Sequence, residues 1–400
     1  MKQNRTKPGQ GWLLWLIVAA LSAAIIFFGN RYASADLNIF QSTGVDVYRA
    51  KITQIQDKHQ SDDLILRQAG IEEYIIQFEA VLTSGPQKGE TVAAKQVLST
   101  IDPAYRLTKQ VEAGDSVMLS QPNTEFDPGG PWLFADYYRI SKLFILGLAF
   151  VFLLLFIGRL KGLSALVSLS LTSAFVFAVF LPWVLGGKNV YVGAALTAVF
   201  TIVMSLLLIE GATLKGLVTI LGCTIGTGFA ALIPFLMNSR LALTGMVDEH
   251  STFLLLLNPD KPIDLVAILY AGIIIGALGA IMDVAMDISS SLYEIRQHAP
   301  DIGFWAMLKS GLSISRDIMG TMTNTLVLAY IGSSLCSILL LVTYTATPME
   351  LLNREIIIVE LLQSLAGSIA ILLTAPLTAL VASLMYTHKK PAAPTRLAED

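Results

Sequence analysis

Two carboxylates lie close together in the segment GALGAIMDVAMDISSSLYEI, residues 276–295, where an apolar stretch gives way to a polar one. If the segment is helical, the four-residue spacing of Asp283 and Asp287 places both side chains on one face, which Gly276 and Gly279 continue. Carboxylates in such a setting can bind a cation, carry a proton or form ion pairs that fix helix ends. Because a charge at membrane depth is energetically costly, this face is not expected to contact lipid.

Further charged residues are expected at the same edge of the membrane. A rise of about 1.5 Å per residue from Asp264 places Asp283 about 28 Å along the helix, near the inner edge of a hydrocarbon core about 30 Å thick. On that side Glu210 ends one apolar segment, and Arg316 and Asp317 begin another. We therefore expect an acidic cluster with Arg316 as its ion-pair partner. The cluster comprises Asp283, Asp287, Glu210 and Asp317.

This cluster has two interpretations. It is either an interfacial salt-bridge network that holds helix ends together, or an ion or proton site at the inner mouth of a pathway. Asn324 and the threonines around it extend into the apolar segment that follows Arg316, where they can line a hydrophilic path or hydrogen-bond neighbouring helices.

Catalysis has little support in the sequence. An aspartyl enzyme built from Asp283 and Asp317 needs two carboxylates that share a proton at close range, and both residues are expected at the membrane edge. The sequence contains no Ser/His/Asp set, metal-ligand spacing or cofactor motif. We therefore expect no enzyme activity, no cofactor and no metal site.

Small residues recur at helical spacing. Gly222 with Gly226, and Gly272 with Gly276, form pairs of small residues four positions apart, and Gly279 follows the second pair. Such pairs allow two helix backbones to approach closely. We therefore expect these glycines at contacts between helices.

The composition is typical of integral membrane proteins. Of the 400 residues, 54% are hydrophobic and 14% are charged, whereas about a quarter of the residues in a soluble domain are charged. The net charge of -3 and the scattered basic residues argue against a nucleic-acid partner. Cys223 and Cys336 lie in apolar stretches, which argues against a disulfide or a metal-binding thiol. The lipid bilayer is the partner that composition predicts.

Eight apolar segments predict about eight membrane-spanning helices when the sequence is scanned with a window of about 19 residues. Lys and Arg are concentrated in the loops that lie inside when the N-terminus is inside, which predicts that both termini are cytoplasmic. Trp12, Trp132 and Trp183 lie near the ends of predicted spans, where aromatic rings favour the interface. The spans are predicted at residues 12–28, 141–158, 163–183, 190–209, 216–237, 264–286, 321–345 and 357–385.

The first span has two interpretations. A basic segment, an apolar core and an Ala-x-Ala sequence at 33–35 fit a cleaved signal peptide as well as an uncleaved anchor. The apolar core is longer than the roughly 7–15 residues usual for a signal peptide, which favours the anchor.

A polar stretch at residues 36–130 is predicted to form a small exported β-domain. Alternation in EYIIQFEAVL places Tyr74, Ile76 and Phe78 on one face and Gln77 on the other. DVYRAKITQI, TVAAKQVL and EAGDSVML predict three further strands, so we expect a small β-barrel or sandwich. The domain is either a rigid spacer or a module that binds a small ligand, an exported protein or a cell-wall component.

The predicted fold class is therefore a polytopic α-helical membrane protein with this β-domain between spans 1 and 2. Its segments are a cytoplasmic basic N-terminus at 1–11, an anchor or signal-like span at 12–28, the exported domain at 36–130, a seven-helix bundle at 141–385 and a cytoplasmic tail at 386–400.

Three segments carry a resemblance to a known family. GALGAIMDVAMDISSSLYEI, SRDIMGTMTNTLVLAYIGSSL and GRLKGLSALVSLSLTSAFVF resemble the YibE/YibF family of bacterial multi-pass membrane proteins, and the segment order is similar over nearly the whole chain. The resemblance implies a bacterial plasma-membrane location, with no established activity to carry over. Asp287 departs from the family pattern, in which serine is common at this position, so Asp283 is the stronger candidate.

Two classes of function remain. A transporter or channel for a small solute or ion is favoured by the helical bundle, by the carboxylates at the membrane edge and by a possible internal repeat. The repeat consists of LKGLSALVSL from residue 160 and LKGLVTILGC from residue 214, and such symmetry is common in transporters. The alternative is a non-catalytic structural or signalling protein whose exported β-domain binds a partner.

Overall fold

The computed structural model of the chain describes residues 8–35, 46–61, 66, 68, 70–102, 107–121, 130–247, 249–256, 262–345 and 347–388. The chain divides into two compact units, one made of Phe40–Leu154 and the other of Met1–Ile39 with Leu155–Asp400. Residues 1–7, 36–45 and 389–400 lie outside the described residues. They include most of the predicted basic N-terminus, the start of the predicted β-domain and most of the predicted cytoplasmic tail.

Five strands form a closed barrel in the first unit. They are β1 (Val47–Gln60), β2 (Glu73–Leu82), β3 (Thr91–Ser99), β4 (Ser116–Ser120) and β5 (Trp132–Tyr137). β1 pairs antiparallel with β2, and β2 pairs antiparallel with β3. β4 returns to pair antiparallel with β1. β5 runs parallel to β3 and antiparallel to β4. A fourth strand that returns beside the first defines a Greek key, and a five-stranded Greek-key barrel is the architecture of the OB fold.

Alternation along the strands fills the barrel with apolar side chains. In β2, Ile76, Phe78, Ala80 and Leu82 are buried, whereas the residues between them are half-buried or exposed. Successive side chains of a strand point to opposite faces, so this pattern places every second residue in the core. The β-domain is thus a barrel, one of the two architectures that the sequence predicts.

β5 corrects the sequence-based description of this domain, because it lies beyond the boundary predicted at residue 130. Trp132, expected at the membrane interface, lies instead in the barrel core with 9% of its surface exposed. Its ring is 5.9 Å from that of Tyr48, edge to face. That prediction was wrong because a tryptophan beside an apolar segment has the same local pattern in a short strand as in an interfacial belt.

Helices make up most of the second unit. They are α1 (Pro8–Ala33), α2 (Ile140–Phe175, which begins in the first unit), α3 (Leu181–Leu185), α4 (Val190–Ile209), α5 (Leu214–Leu241), α6 (Glu249–Leu256), α7 (Leu265–His298), α8 (Phe304–Ser333), α9 (Leu335–Tyr344), α10 (Pro348–Asn353) and α11 (Glu355–His388). A π-helical turn at Val176–Phe180 joins α2 to α3.

Six helical stretches among the described residues are long and apolar enough to cross a membrane. A seventh span results if α8 and α9, which bend by 61° at their junction, count as one. The sequence predicts eight, and the difference lies in Ile140–Leu185, a helical stretch of 46 residues. At about 1.5 Å per residue this stretch is about 69 Å long, more than twice the thickness of a hydrocarbon core of about 30 Å. Arg159 interrupts it with a φ of 50°, between the two spans predicted there.

α11 is the central helix of the bundle. It packs against α5, α7 and α8, and α7 also packs against α4 and α5. The shared core contains Ile281 and Ile288 of α7 together with Ala375 and Ala379 of α11, all fully buried. Small residues on a central helix allow its neighbours to approach closely. One face of α7 lies outside this core, and that face carries the candidate site.

Candidate functional site on the open face of α7

α7 positions the two carboxylates that the sequence singles out. The helix begins where the side chain of Asp264 accepts a hydrogen bond from the backbone N–H of Ala267 at 2.9 Å, an N-cap that fixes its first turn. Five residues at helical spacing along one side of α7 are exposed. This set, the open face of α7, consists of Gly272, Gly276, Gly279, Asp283 and Asp287.

Two of the three glycines on the open face of α7 lie beside open space, and the third lies beneath side chains of other helices. No atom of the described residues outside the helix itself lies within 4 Å of the position that a Cβ would take at Gly272 or Gly279. A Cβ at Gly276 would lie 3.0 Å from the Tyr330 hydroxyl and 3.6 Å from Nε2 of Gln363. Among the described residues, Gly272 and Gly279 therefore lie beside open space, with no neighbouring helix within 4 Å of their Cβ positions.

The acidic cluster predicted around Arg316 does not form as ion pairs in the described part of the chain. Glu210 instead pairs with Lys215, whose Nζ lies 2.9 Å from its carboxylate, across the turn between α4 and α5. No ion pair within 4.0 Å joins Arg316 to Asp283 or to any other described carboxylate. Arg316 was the wrong partner for Glu210, because a cation five residues away along the chain satisfies that carboxylate.

Arg316, Asp317 and Asn324 are exposed on α8. Two contacts between α7 and α8 show which residues of the two helices lie at the same height: Gly311 faces Leu292, and Tyr330 faces Gly276. This antiparallel register places Asp287 at about the level of Arg316 and Asp317. Asp283 lies about one turn further into the span, and Asn324 lies further still. Asp283, Asp287, Arg316, Asp317 and Asn324 thus lie at similar heights on two adjacent helices, whereas Glu210 lies at the end of α4.

Gly222 and Gly226 occupy a different environment, at the contact between α5 and α11. A Cβ at Gly222 would overlap the side chain of Thr378, and a Cβ at Gly226 would overlap that of Thr374. The Thr374 hydroxyl donates to the carbonyl of Ala370 at 2.6 Å, which satisfies it within its own helix. Each glycine therefore allows a threonine side chain of α11 to pack directly against the backbone of α5. The spacing of the glycines alone does not reveal this contact.

A polar network that the sequence does not indicate lies beside the Glu210–Lys215 pair. The Ser289 and Tyr386 hydroxyls are 2.7 Å apart, and the Ser289 hydroxyl also donates to the carbonyl of Lys215 at 3.2 Å. The network joins α5, α7 and α11 at one end of the bundle. The sequence gives no signal for it, because isolated serine and tyrosine residues are common in apolar helices.

The open face offers carboxylates but no preformed metal site. Among the described residues, no group of three or more His, Cys, Asp or Glu side chains could hold a metal ion. Two carboxylates one turn apart can attract a hydrated cation or exchange a proton with water.

Comparison with known proteins identifies a family for this chain. A family model described as YibE/F-like protein matches residues 146–388, which contain α3 to α11 and most of α2. No curated protein and no solved structure matches the chain.

Proposed function

The chain belongs to the YibE/F-like protein family, and from that premise we propose that it is a transporter or channel for a small cation, proton or other small solute. In this proposal Asp283 lies on the pathway and Asp287 lies at its mouth. The observation that carries the proposal is the open face of α7, where two exposed carboxylates continue a strip of glycines.

Depth and solvation support this role. Asp283 follows Leu265, the first residue of α7, by about 27 Å of helix, so in a membrane it would lie within the core or at its edge. A charged side chain there costs a few kcal/mol unless it faces water or a partner. Asp283 and Asp287 are exposed and form no ion pair with a described residue. A water-filled path along the glycines would solvate both.

The proposed topology follows the sequence. Eight spans in a bacterial plasma membrane, with both termini cytoplasmic, agree with the distribution of Lys and Arg. The break at Arg159 supports counting Ile140–Leu185 as two spans. With the N-terminus inside and five predicted spans before α7, the amino-terminal end of α7 faces outward and Asp287 faces the cytoplasm.

The test is a flux measurement in liposomes that contain the purified protein. Internal pH and cation-sensitive dyes are followed under imposed gradients for the wild type, Asp283→Asn, Asp287→Asn and Glu294→Gln. Glu294 is the matched control, because it is an exposed carboxylate on the same helix about 44 Å from its start, beyond the hydrocarbon core. We expect flux in the wild type and in Glu294→Gln, and its loss in Asp283→Asn. Flux that survives in Asp283→Asn removes this residue from the mechanism.

The barrel supports a second candidate function. Some OB folds bind oligonucleotides or oligosaccharides on the face formed by strands 2 and 3, and here the outer face of β2 and β3 offers Gln77 beside Lys95. A structural or signalling protein would use this exported domain to bind a cell-wall component or an exported protein. Replacement of residues 46–138 by a flexible linker separates the two functions: a binding protein loses its cellular phenotype, whereas a transporter keeps its flux in liposomes.

A further inference from the structure

An open cavity of about 160 Å³ lies between the first turns of α1 and the part of α2 that follows the break at Arg159. It is lined by Trp12, Trp15, Leu160, Leu163 and Ser164. The indole N–H of Trp15 donates to the Ser164 hydroxyl at 3.1 Å. The two indole rings pack edge to face with centroids 5.6 Å apart. The cavity is therefore apolar, with one hydroxyl and two indole rings at its wall.

Two cations flank one of the residues that line this cavity. Arg159 and Lys161 flank Leu160 and are exposed, and neither forms an ion pair with a described residue. The sequence has no Asp or Glu between Asp136 and Glu210, and none before Asp36. The two segments that line the cavity thus carry cations next to Leu160 and contain no carboxylate that would neutralise them.

These features define the chemistry of an occupant. It must present an apolar part to Leu160 and Leu163, and an anion to Arg159 and Lys161. The Ser164 oxygen accepts from Trp15, which leaves its own O–H free to donate to an ester or phosphate oxygen. Trp12 and Trp15 belong to a helix that is long and apolar enough to span a membrane, and indole rings favour the headgroup level.

We infer that this cavity binds an anionic phospholipid, with the phosphate at Arg159 and Lys161 and an acyl chain along Leu160 and Leu163. Basic pockets between membrane helices recognise acidic headgroups in this way. A zwitterionic lipid fits less well, because its amine would lie near two cations that have no counter-charge on the protein. A second copy of the chain fits less well for the same reason, since its corresponding surface carries the same charge.

Quenching by brominated lipids measures occupancy at this site. Full-length protein that keeps Trp12 and Trp15, with Trp132, Trp183 and Trp305 changed to Phe, is reconstituted with phosphatidylcholine brominated on its acyl chains or with phosphatidylglycerol brominated likewise. Each cation near the surface strengthens binding of an acidic lipid by several-fold. We expect the wild-type cavity to prefer phosphatidylglycerol about tenfold over phosphatidylcholine.

The variant Arg159→Gln/Lys161→Gln is expected to lose this preference while phosphatidylcholine quenching stays unchanged, which shows that the indoles remain in the membrane. The matched control is Arg240→Gln/Lys309→Gln, which removes two exposed cations elsewhere and is expected to keep the preference. Equal quenching by both lipids in the wild type overturns the inference. So does a preference that persists in Arg159→Gln/Lys161→Gln, or one that the control variant also loses.

Discussion

Lys215 and Glu210 form an ion pair with 2.9 Å between Nζ and the carboxylate, and their side chains are only 21% and 13% exposed. The pair lies across the turn between α4 and α5, where Gly211 adopts a φ of +71°. Thr213 caps α5 by accepting from the N–H of Gly216 at 3.0 Å. The turn brings the two charges together, and the carbonyl of Lys215 joins the same region to Ser289 of α7.

Removal of the cation alone should destabilise the protein more than removal of both charges. Lys215→Met leaves the carboxylate of Glu210 mostly buried without a counter-charge, which we expect to cost about 3 kcal/mol. Lys215→Met/Glu210→Gln should recover most of this loss, because no unpaired charge remains. The free energy of unfolding in mixed detergents, measured for wild type, both single variants and the double variant, gives the coupling. A coupling energy near zero would contradict a stabilising role for the pair.

A methyl group at Gly226 should separate α5 from α11. The added carbon would meet the hydroxyl of Thr374 and lie 3.0 Å from Cγ2 of Ile281 on α7, so two helices would have to move. We expect Gly226→Ala to cost about 1–3 kcal/mol, the usual penalty for overpacking. Gly279→Ala is the matched control, because its methyl meets open space and alanine favours the helix. Thermal unfolding should show a lower Tm for Gly226→Ala alone, and equal shifts would contradict this account.

The alternation of apolar residues in strands and the spacing of polar residues in helices made parts of this fold predictable from sequence. Alternation located β2 within EYIIQFEAVL because one strand face is buried, and i,i+4 spacing placed Asp283 and Asp287 on one helix face. β5 was missed because WLFADY is short and adjoins an apolar segment. Only its pairing with β3 and β4 identifies it as a strand.

The contacts of the candidate site depend on tertiary structure and could not be predicted in the same way. Glu210 was assigned by membrane depth to a cluster with Arg316, whereas turn geometry gives it Lys215. Thr374 and Thr378 of α11 share the four-residue spacing of Gly226 and Gly222, but spacing alone does not show which helices are neighbours in a bundle.

Glu355 should hold the segment after α5 against the start of α11. One carboxylate oxygen of Glu355 accepts from the backbone N–H groups of Thr244 and Gly245, both at 2.7 Å, and the other accepts from the Thr244 hydroxyl at 2.8 Å. Glu355→Ala removes all three bonds, so we expect faster hydrogen exchange at the amides of Thr244 and Gly245. Glu350→Ala is the control, because it removes only an exposed pair with Arg354, and such pairs contribute little. Unchanged protection at Thr244 in Glu355→Ala would show that the segment is held by other contacts.

Asp136 should make the stability of the barrel depend on pH in the acid range. Arg139 donates to one oxygen of Asp136 and the backbone N–H of Tyr137 donates to the other, both at 2.7 Å. These bonds lower the pKa of Asp136 below its usual value of 3.8. A carboxyl whose pKa is lower in the folded state stabilises that state above its unfolded pKa. Its contribution is therefore complete above about pH 4 and is lost as the pH falls through the lower folded value.

The size of this effect should be small, because 47% of the Asp136 side chain is exposed. We expect Asp136→Asn to cost less than about 1 kcal/mol at pH 6 and nothing once Asp136 is protonated in both states. Trp132 reports on the barrel core in a protein whose four other tryptophans are phenylalanine, so denaturant titrations at pH 6 and at pH 2 followed by its fluorescence give both values. Glu90→Gln, which alters an exposed carboxylate outside this pair, is the control. A difference between wild type and Asp136→Asn that is equal at both pH values would mean that the lost stability comes from packing, since a titrating ion pair must vary with pH.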